Sequence, residues 1–216
     1  KIISISSCER IFNNSLYLIT DRHQLPPGEG LTGTIEQALL GGLRMVQLRE
    51  KDLTASELWP IAQQLRSLTH RYSAKLFIND RIDLALACAA DGIHVGEHSV
   101  PISVARQLLG SNRLIGVSTH TLSDVSLATR QGADFLTFGP VFHTPSKEAY
   151  GPPQGLDQLQ HACRQTRLPI LALGGIKTEH VSTVLSHGAS GIALISGIIS
   201  NNNPQKATQE LVSKLS

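Results

Sequence analysis

One chemically suggestive group in this sequence is an amide and two cations that follow a short apolar segment. Gln47 and Arg49 stand two positions apart, so on a strand their side chains share one face, and Lys51 follows two positions later. An anion is the natural partner of such a group, because a guanidinium supplies a fork of donors and an ammonium a point charge. The alternative is that Arg49 and Lys51 form salt bridges with the neighbouring Glu50 and Asp52. The residue types alone leave both interpretations open.

Asn79 and Asp80 follow another apolar segment. Asp80 is a candidate Mg²⁺ ligand, because Mg²⁺ is commonly held by one or two carboxylates together with substrate phosphates. The alternative is that Asp80 caps the helix predicted to begin there, and the spacing alone favours the cap. Asp83 lies one turn inside that helix and is interpreted as structural.

Two further segments carry histidine or serine. His94 and His98 have a spacing that suggests metal ligands. A histidine buried in the core of the protein is the commoner arrangement and is favoured here. Ser118 could donate a hydrogen bond to a ring nitrogen, and His120 could transfer a proton. No third partner is identifiable, so the sequence does not support a hydrolytic triad.

A long segment rich in Gly and Pro, residues 139–155, contains Thr144, Ser146 and Lys147. Long loops in compact domains are usually functional. We interpret this one as a flap that closes over a substrate, with Lys147 contacting an anion. A plain surface loop is the alternative.

Two glycine-containing turns predict a phosphate site. Gly174 and Gly175 follow one apolar run, and Ser196 and Gly197 follow another. Glycines let backbone N–H groups approach a phosphate, and a following helix N-terminus adds partial positive charge. With the cationic group, this makes two anion sites. An enzyme that joins a pyrophosphate substrate to a phosphate substrate would need this layout.

The elements that position these residues repeat one pattern of short apolar run, polar loop and helical stretch. The runs are apolar on both faces, which is typical of strands buried in a parallel sheet. The predicted strands are Leu16–Thr20, Met45–Leu48, Leu76–Ile78, Gly92–Val95, Leu114–Val117, Phe135–Phe138, Ile170–Leu173 and Gly191–Ile195. The predicted helices are Thr34–Leu40, Ala55–His70, Ile82–Ala87, Ile102–Leu109, Leu122–Arg130, Leu156–Gln165, Thr178–Ser186 and Gln205–Lys214. Predicted helix starts are Thr54, Ser123 and Thr178, and predicted stops are Gly41, Gly110, Gly132 and Gly188.

Alternation of about eight strands with about eight helices predicts the α/β class and a single closed (β/α)₈ TIM barrel. An open doubly wound sheet, which more often has fewer strands, is the alternative. In a barrel the active site lies at the carboxyl ends of the strands, where the residues described above stand. We predict one domain over residues 1–216, with residues 1–14 as an N-terminal extension.

The composition excludes several classes of protein. Hydrophobic residues make up 41% of the 216 residues and charged residues 17%, so a packed globule is expected. A net charge of +2 without a Lys/Arg run argues against nucleic acid or a membrane surface as the partner. Cys8, Cys88 and Cys163 are far apart and suggest neither a disulfide framework nor a metal knuckle. Without a long apolar run or a signal sequence, we expect a cytoplasmic protein. The oligomeric state is left open, a homodimer included.

In order along the chain, several segments resemble the thiamine-phosphate synthase and TenI-type family. They are Tyr17–Asp21, Gln47–Lys51, Asn79–Arg81, Asp91–Gly96, Gly116–His120, Gly139–Phe142, Thr144–Lys147 and Gly174–Ile176. The resemblance spans nearly the whole chain. It implies a transferase that joins a pyrimidine pyrophosphate to a thiazole phosphate, giving thiamine phosphate and pyrophosphate. That reaction needs no nucleophilic side chain, and none is found.

The resemblance also implies roles for individual residues. The pyrophosphate positions are Gln47, Arg49, Lys51, Asn79 and Lys147, and Asp80 would bind one Mg²⁺ ion. The pyrimidine and flap positions are Ser118, Thr144 and Ser146, and those of the thiazole phosphate are Gly175, Ile195 and Ser196. The implied catalytic set is Arg49, Lys51, Ser118, His120 and Lys147.

One position departs from the family pattern. Ser99 stands where the family usually has an Asp that is its second metal ligand, and a hydroxyl binds Mg²⁺ less well than a carboxylate. Glu97 is the other candidate for this role. TenI-type thiazole tautomerases also lack the acid, act without metal and use a His at the position of His120, so a tautomerase is the first alternative function. A non-catalytic barrel that binds a phosphorylated ligand is the second. The intact cationic residues favour the synthase.

Overall fold

The computed structural model describes residues 12–144 and 152–216 of the chain. Eight parallel strands each pair with the next, and the last pairs with the first, so the sheet closes into a barrel. The strands are β1 Ser15–Ile19, β2 Met45–Leu48, β3 Lys75–Asn79, β4 Gly92–Val95, β5 Leu114–Thr119, β6 Phe135–Phe138, β7 Ile170–Leu173 and β8 Gly191–Leu194. The predicted (β/α)₈ TIM barrel is confirmed.

Helices follow the strands and cover the outside of the barrel. They are α1 Leu31–Leu40, α2 Ala55–Arg71, α3 Ile82–Ala87, α4 Ile102–Leu109, α5 Leu122–Gln131, α6 Gly155–Gln165, α7 Val181–Ser186, α8 Ser196–Ile199 and α9 Pro204–Leu215. Arg22–Gln24 and Thr178–His180 form 3₁₀ turns. The sequence did not predict α8, and it joined the second 3₁₀ turn to α7. None of the helices in the described ranges is long and apolar enough to cross a membrane.

Local capping explains where several of the helices begin or end. Thr54 caps α2, and its side chain and that of Glu57 bind each other's backbone N–H groups. The predicted start of α5 at Ser123 is wrong, because Thr121 and Asp124 form the same reciprocal box two residues earlier. The predicted stops at Gly41, Gly110 and Gly132 are the C-caps of α1, α4 and α5, and Gly188 follows the C-cap of α7.

The interior of the barrel is a separate apolar cluster, distinct from the layer between strands and helices. Its members are Phe12, Tyr17, Ile19, Met45, Phe77, Leu114, Phe135, Leu171 and Ala193. Phe12 precedes β1, is fully buried and stacks on Phe135 with ring centroids 4.5 Å apart. This ring therefore packs at the amino-terminal end of the barrel, although it lies in the segment predicted as an extension. The domain division itself stays a prediction.

Carboxylates fix the amino-terminal ends of two strands. Asp91 Oδ2 accepts a hydrogen bond from the backbone N–H of Leu76 at 2.9 Å and forms an ion pair with Arg66 at 2.6 Å. Asp134 repeats the arrangement with the N–H of Ile115 at 2.7 Å. These contacts lie at the end of the barrel opposite the candidate site, where residues of this fold commonly serve stability.

Candidate active site

The predicted cationic group stands at the carboxyl end of β2. The backbone N–H of Arg49 donates to Thr20 Oγ1 at 2.8 Å, which ties the end of β2 to that of β1. Arg49 is half-buried and Lys51 is exposed. Gln47 is only 1% exposed, and its Nε2 donates to the hydroxyl of Tyr17 at 3.0 Å. Gln47 therefore lies one layer below the cations, inside the barrel.

The neighbouring carboxylates do not pair with these cations. Arg22 holds Asp52 with two N–H groups at 2.6 Å each and contacts Glu50 at 3.2 Å. In the ranges 12–144 and 152–216, neither Arg49 nor Lys51 forms an ion pair. The interpretation of Arg49 and Lys51 as partners of Glu50 and Asp52 is therefore wrong.

A buried polar chain runs from this rim into the barrel. Tyr17 Oη lies 3.3 Å from His94 Nδ1, and His94 Nε2 lies 3.1 Å from Ser118 Oγ. Burial, with a smaller contribution from the charge of Arg49, lowers the pKa of His94 to about 3, so the ring is neutral near pH 7. Burial likewise raises the pKa of Tyr17. Both His94 nitrogens are engaged, which agrees with the core interpretation and leaves His94 no free nitrogen for a metal.

With the Gln47 amide as donor, the contacts of this chain favour one proton direction. Gln47 Nε2 donates to the Tyr17 oxygen, so the Tyr17 proton is directed at His94 Nδ1. A neutral imidazole that accepts at Nδ1 carries its proton on Nε2 and donates it to Ser118 Oγ. The hydroxyl proton of Ser118 is then left to donate elsewhere. Ser118, which is half-buried at the end of β5, can thus act as a donor.

Asp80 follows β3 and accepts hydrogen bonds from the last residue of that strand and from the loop after β4. Its Oδ2 accepts from Asn79 Nδ2 at 2.8 Å, and its Oδ1 accepts from the hydroxyl of Ser99. Ser99 Oγ also accepts from the N–H of Gly96 at 2.7 Å, which holds the loop after β4 in place. The N-cap of α3 is Arg81, without a side-chain cap. The interpretation of Asp80 as the helix cap is therefore wrong.

The remaining acidic and histidine candidates near β4 point elsewhere. Glu97 and His98 are exposed, and within the described part of the chain Glu97 forms neither a hydrogen bond nor an ion pair. The structure thus brings Ser99, and not Glu97, onto Asp80. Across residues 12–144 and 152–216, no group of three or more His, Cys, Asp or Glu side chains is placed to hold a metal.

His120 follows β5 and is oriented by the next strand. Its Nδ1 lies 2.5 Å from the carbonyl oxygen of Gly139, and its backbone N–H donates to Asp124 at 2.9 Å. A carbonyl can only accept, so Nδ1 carries a proton and Nε2 of the neutral ring is an acceptor. His120 is half-buried and has the geometry of a group that could exchange a proton.

The two predicted glycines after β7 have a packing role. Gly174 and Gly175 have φ values of +96° and +64°. A Cβ at Gly174 would lie 2.6 Å from Pro140, and one at Gly175 would lie 2.4 Å from the carbonyl oxygen of His143. The segment after β6 therefore lies directly on this turn, and Phe142 N donates to Gly174 O at 3.0 Å. Protein packing and a positive φ are therefore enough to require glycine at both positions.

Ile195 and Ser196 follow β8, and Ser196 opens the helix α8. Ser196 is exposed and Ile195 is half-buried, packing against the interior cluster. The first amides of a helix have no intrahelical partner, so those of Ser196 and Gly197 are available to an acceptor. The helix α8 contacts the 3₁₀ turn Arg22–Gln24. Ser196 and Arg49 share one rim because they follow the carboxyl ends of two parallel strands, β8 and β2. Only β1 lies between these strands.

Part of the predicted site falls outside the described residues. Ser146 and Lys147 belong to that part, so the flap and its predicted anion contact stay predictions. Thr144 is half-buried at the edge of the described range. The sequence pattern did not predict an individual role for Arg22 at the rim or for Tyr17 in the core. Arg22 follows the first apolar run, so the rule that identified Gln47 and Asn79 would also have found Arg22.

A closed parallel barrel with cations, hydroxyls and glycine turns at the carboxyl ends of its strands defines a (β/α)₈-barrel enzyme. The chain belongs to the thiamine monophosphate synthase family, whose sequence profile matches residues 16–198. Enzymes of this family act on small phosphorylated substrates.

Individual relatives agree with this assignment. A Geobacter sulfurreducens protein provisionally named thiamine-phosphate synthase is 53% identical, over 93% of this chain and 94% of its own length. A Synechocystis thiamine-phosphate synthase is 42% identical over 96% of this chain, which spans 59% of that relative. The solved structure of thiamine phosphate pyrophosphorylase from Pyrococcus furiosus superimposes with a TM-score of 0.86 at 35% identity, covering 95% of this chain and 97% of the other.

Proposed function

We propose that this chain is a thiamine-phosphate synthase. It joins a pyrimidinylmethyl pyrophosphate to a thiazole phosphate and releases pyrophosphate. Membership of the family and the names of its relatives support this function. The observation that carries it within the structure is that Arg49 and Lys51 face the rim while Arg22 holds Glu50 and Asp52. Two cations without acidic partners in the described chain suit a polyanionic leaving group such as pyrophosphate.

The reaction is a substitution at the carbon that links the pyrimidine ring to the pyrophosphate. The bond from that carbon to the pyrophosphate oxygen breaks, the aminopyrimidine stabilises the positive charge, and the thiazole nitrogen forms the new bond. Arg49 and Lys51, with Lys147 from the flap, would bind the pyrophosphate and stabilise the departing charge. Gln47 and Asn79 would complete that pocket, Gln47 from its buried position under Arg49.

Ser118 would orient the pyrimidine. The chain from Gln47 through Tyr17 and His94 leaves the Ser118 proton free to donate to a ring nitrogen. Thr144 and Ser146 would close over the ring and exclude water, which would otherwise capture the cationic carbon. His120 would contribute its Nε2 as an acceptor beside the site.

Asp80 and Ser99 fit a Mg²⁺ site of low ligand number. Asp80 is an exposed carboxylate at the rim, and the Ser99 hydroxyl reaches it. Mg²⁺ often takes one or two protein carboxylates and completes its shell with water and substrate phosphates, so one carboxylate is sufficient. When bound, the ion would neutralise charge on the pyrophosphate. Glu97 is the less favoured ligand, because it makes no contact with Asp80.

The thiazole phosphate would bind at the turns after β7 and β8. The amides near Gly175 and those of Ser196 and Gly197 are the donors proposed for its oxygens, with Ile195 against the ring. Both turns lie at the same rim as Arg49, with one strand between β8 and β2 and two strands between β7 and β2. A homodimer and a cytoplasmic location stay predictions.

The test is incubation of the protein with both substrates, with and without Mg²⁺, while thiamine phosphate and pyrophosphate are measured. Formation of both products that depends on Mg²⁺ is expected. Isomerisation of a thiazole phosphate without metal, abolished by His120→Ala, would instead identify a tautomerase. Ligand binding without turnover of either kind would leave only the non-catalytic barrel.

A further inference from the structure

We propose that Arg22 is a positioning residue that draws Glu50 and Asp52 away from Arg49 and Lys51 and so keeps both cations available to an anionic substrate. This inference rests on the proposed function of Arg49 and Lys51. It adds a role for a residue that is not itself expected to touch the pyrophosphate.

The contacts of Arg22 are extensive for a side chain on a loop. Its guanidinium binds both oxygens of Asp52 at 2.6 Å, and its Nη1 lies 3.2 Å from Glu50 Oε2. Its backbone N–H adds contacts to the two oxygens of Glu50 at 3.2 and 3.1 Å. His23 Nε2 lies 3.1 Å from Asp52. One 3₁₀ turn therefore engages both carboxylates.

The order of charges along the loop explains why such a residue is needed. Residues 49–52 read Arg, Glu, Lys, Asp, so opposite charges alternate and cancel. Glu50 is 5% exposed, and a nearly buried carboxylate is costly to leave without a cation. If Arg22 were lost, Arg49 and Lys51 would be the adjacent cations available to Glu50 and Asp52. Arg22 therefore neutralises the two carboxylates of the loop, while Arg49 and Lys51 stay without an ion pair among the described residues.

Loss of the Arg22 side chain should leave its turn in place. The bonds from the backbone N–H of Arg22 to Glu50 do not need the guanidinium, and Asp21 caps the same turn by accepting from the N–H of His23. The rim depression beside it is lined by Asp21, His23, Arg49, Glu50, Lys51 and Asp52. A side-chain variant therefore changes mainly the charges around this depression.

The test combines Arg22→Ala with a charge rescue. Binding of inorganic pyrophosphate with Mg²⁺ is measured by calorimetry, and KM and kcat are measured for the pyrimidine pyrophosphate. Arg22→Ala should weaken pyrophosphate binding and raise KM by roughly tenfold, equivalent to about 1.4 kcal/mol, with a smaller change in kcat. The triple variant Arg22→Ala/Glu50→Gln/Asp52→Asn should recover most of this loss, because the competing carboxylates are gone. Arg71→Ala is the control, since it removes a 3.0 Å surface ion pair between Arg71 on α2 and Glu36 on α1 and should change neither quantity.

A merely structural role for Arg22 would give a different pattern. Unchanged pyrophosphate affinity in Arg22→Ala, or a folded triple variant without recovery, would overturn the inference. If Arg22→Ala does not fold, Glu50→Gln/Asp52→Asn with Arg22 intact serves instead and should bind pyrophosphate at least as tightly as the wild type. Weaker binding in that variant would count against the role. Failure of the proposed function is recognised separately, because the wild type would then form no thiamine phosphate whatever its pyrophosphate affinity.

Discussion

Ser99 donates a hydrogen bond to Asp80 across the gap between the loops that follow β3 and β4. The two residues are 19 positions apart in the chain, and the pairing of β3 with β4 brings them together. A hydroxyl thus stands beside the proposed metal-binding carboxylate, at the position where the family usually carries a second acid. This contact opens the proposed metal dependence to a direct test.

Removal of Asp80 and replacement of Ser99 should shift Mg²⁺ dependence in opposite directions. Asp80→Asn is expected to abolish Mg²⁺-dependent release of pyrophosphate, because no other carboxylate in the described chain contacts that position. Ser99→Asp should lower the Mg²⁺ concentration for half-maximal turnover by roughly tenfold, since a second carboxylate raises metal affinity. Mg²⁺ titration of turnover measures both effects. Asp83→Asn, which removes only the pair with Arg81, is the control. Retained metal-dependent turnover in Asp80→Asn would refute the metal role.

Truncation of Arg49 should remove much of the charge stabilisation of the leaving group. Arg49→Ala is expected to lower kcat/KM for the pyrimidine pyrophosphate by about 10²–10³-fold, in the range seen when one preorganised donor is lost. Steady-state kinetics measures the change, and circular dichroism checks the fold. Arg130→Ala, on the exposed face of α5, should behave as the wild type. Equal kinetics in the two variants would place the pyrophosphate elsewhere.

The buried His94 should make stability depend on pH. Its pKa is about 3 in the folded protein and 6.5 as the ordinary value, so the unfolded chain binds one more proton between these limits. The free energy of unfolding therefore contains the full stabilisation from neutral His94 above pH 6.5. That stabilisation is lost as the pH falls, by up to about 1.4 kcal/mol per pH unit. When the free energy of unfolding is measured with denaturant between pH 7 and about 4, it should fall less steeply with decreasing pH in His94→Gln than in the wild type.

The control for that measurement is a histidine outside the core. His70→Gln, at an exposed position of α2, should keep the wild-type slope. Parallel stability curves for the wild type and His94→Gln would mean that His94 takes up a proton as readily in the folded state as in the unfolded state. The proton direction inferred for Ser118 would then have to be abandoned.

Gly116 should be intolerant of a methyl group because His94 and Phe135 occupy the space beside it. A Cβ there would lie 2.3 Å from the Phe135 ring and 2.6 Å from His94 Nδ1. Gly116→Ala is expected to destabilise the fold by about 1–3 kcal/mol through overpacking, as measured by denaturant unfolding. Gly33→Ala, in α1 with nothing within 4 Å, should be neutral or stabilising by up to ~1 kcal/mol. Equal effects at the two glycines would contradict this packing.

Much of the fold and of the candidate rim is written locally in the sequence. Short apolar runs predicted all eight strands, since a strand buried on both faces needs apolar residues at consecutive positions. Once the barrel is assumed, the residues after each run must stand at one rim, and Arg49, Asp80 and Ser196 do so. Local capping residues such as Thr54 likewise fixed the start of a helix. The family motifs, read in order, indicated the same reaction class.

Only the tertiary structure decided which of these residues are partners. Proximity in the sequence suggests that Glu50 pairs with Arg49 and that Asp80 caps a helix. In the folded chain Glu50 pairs with Arg22, 28 positions away, and Asp80 accepts a hydrogen bond from Ser99. The burial that keeps His94 neutral is also a product of packing. Secondary structure follows from the nearest few residues, but ion pairs and desolvation depend on which strands become neighbours when the barrel closes. These neighbours are brought together only by folding, so the local sequence does not reveal them.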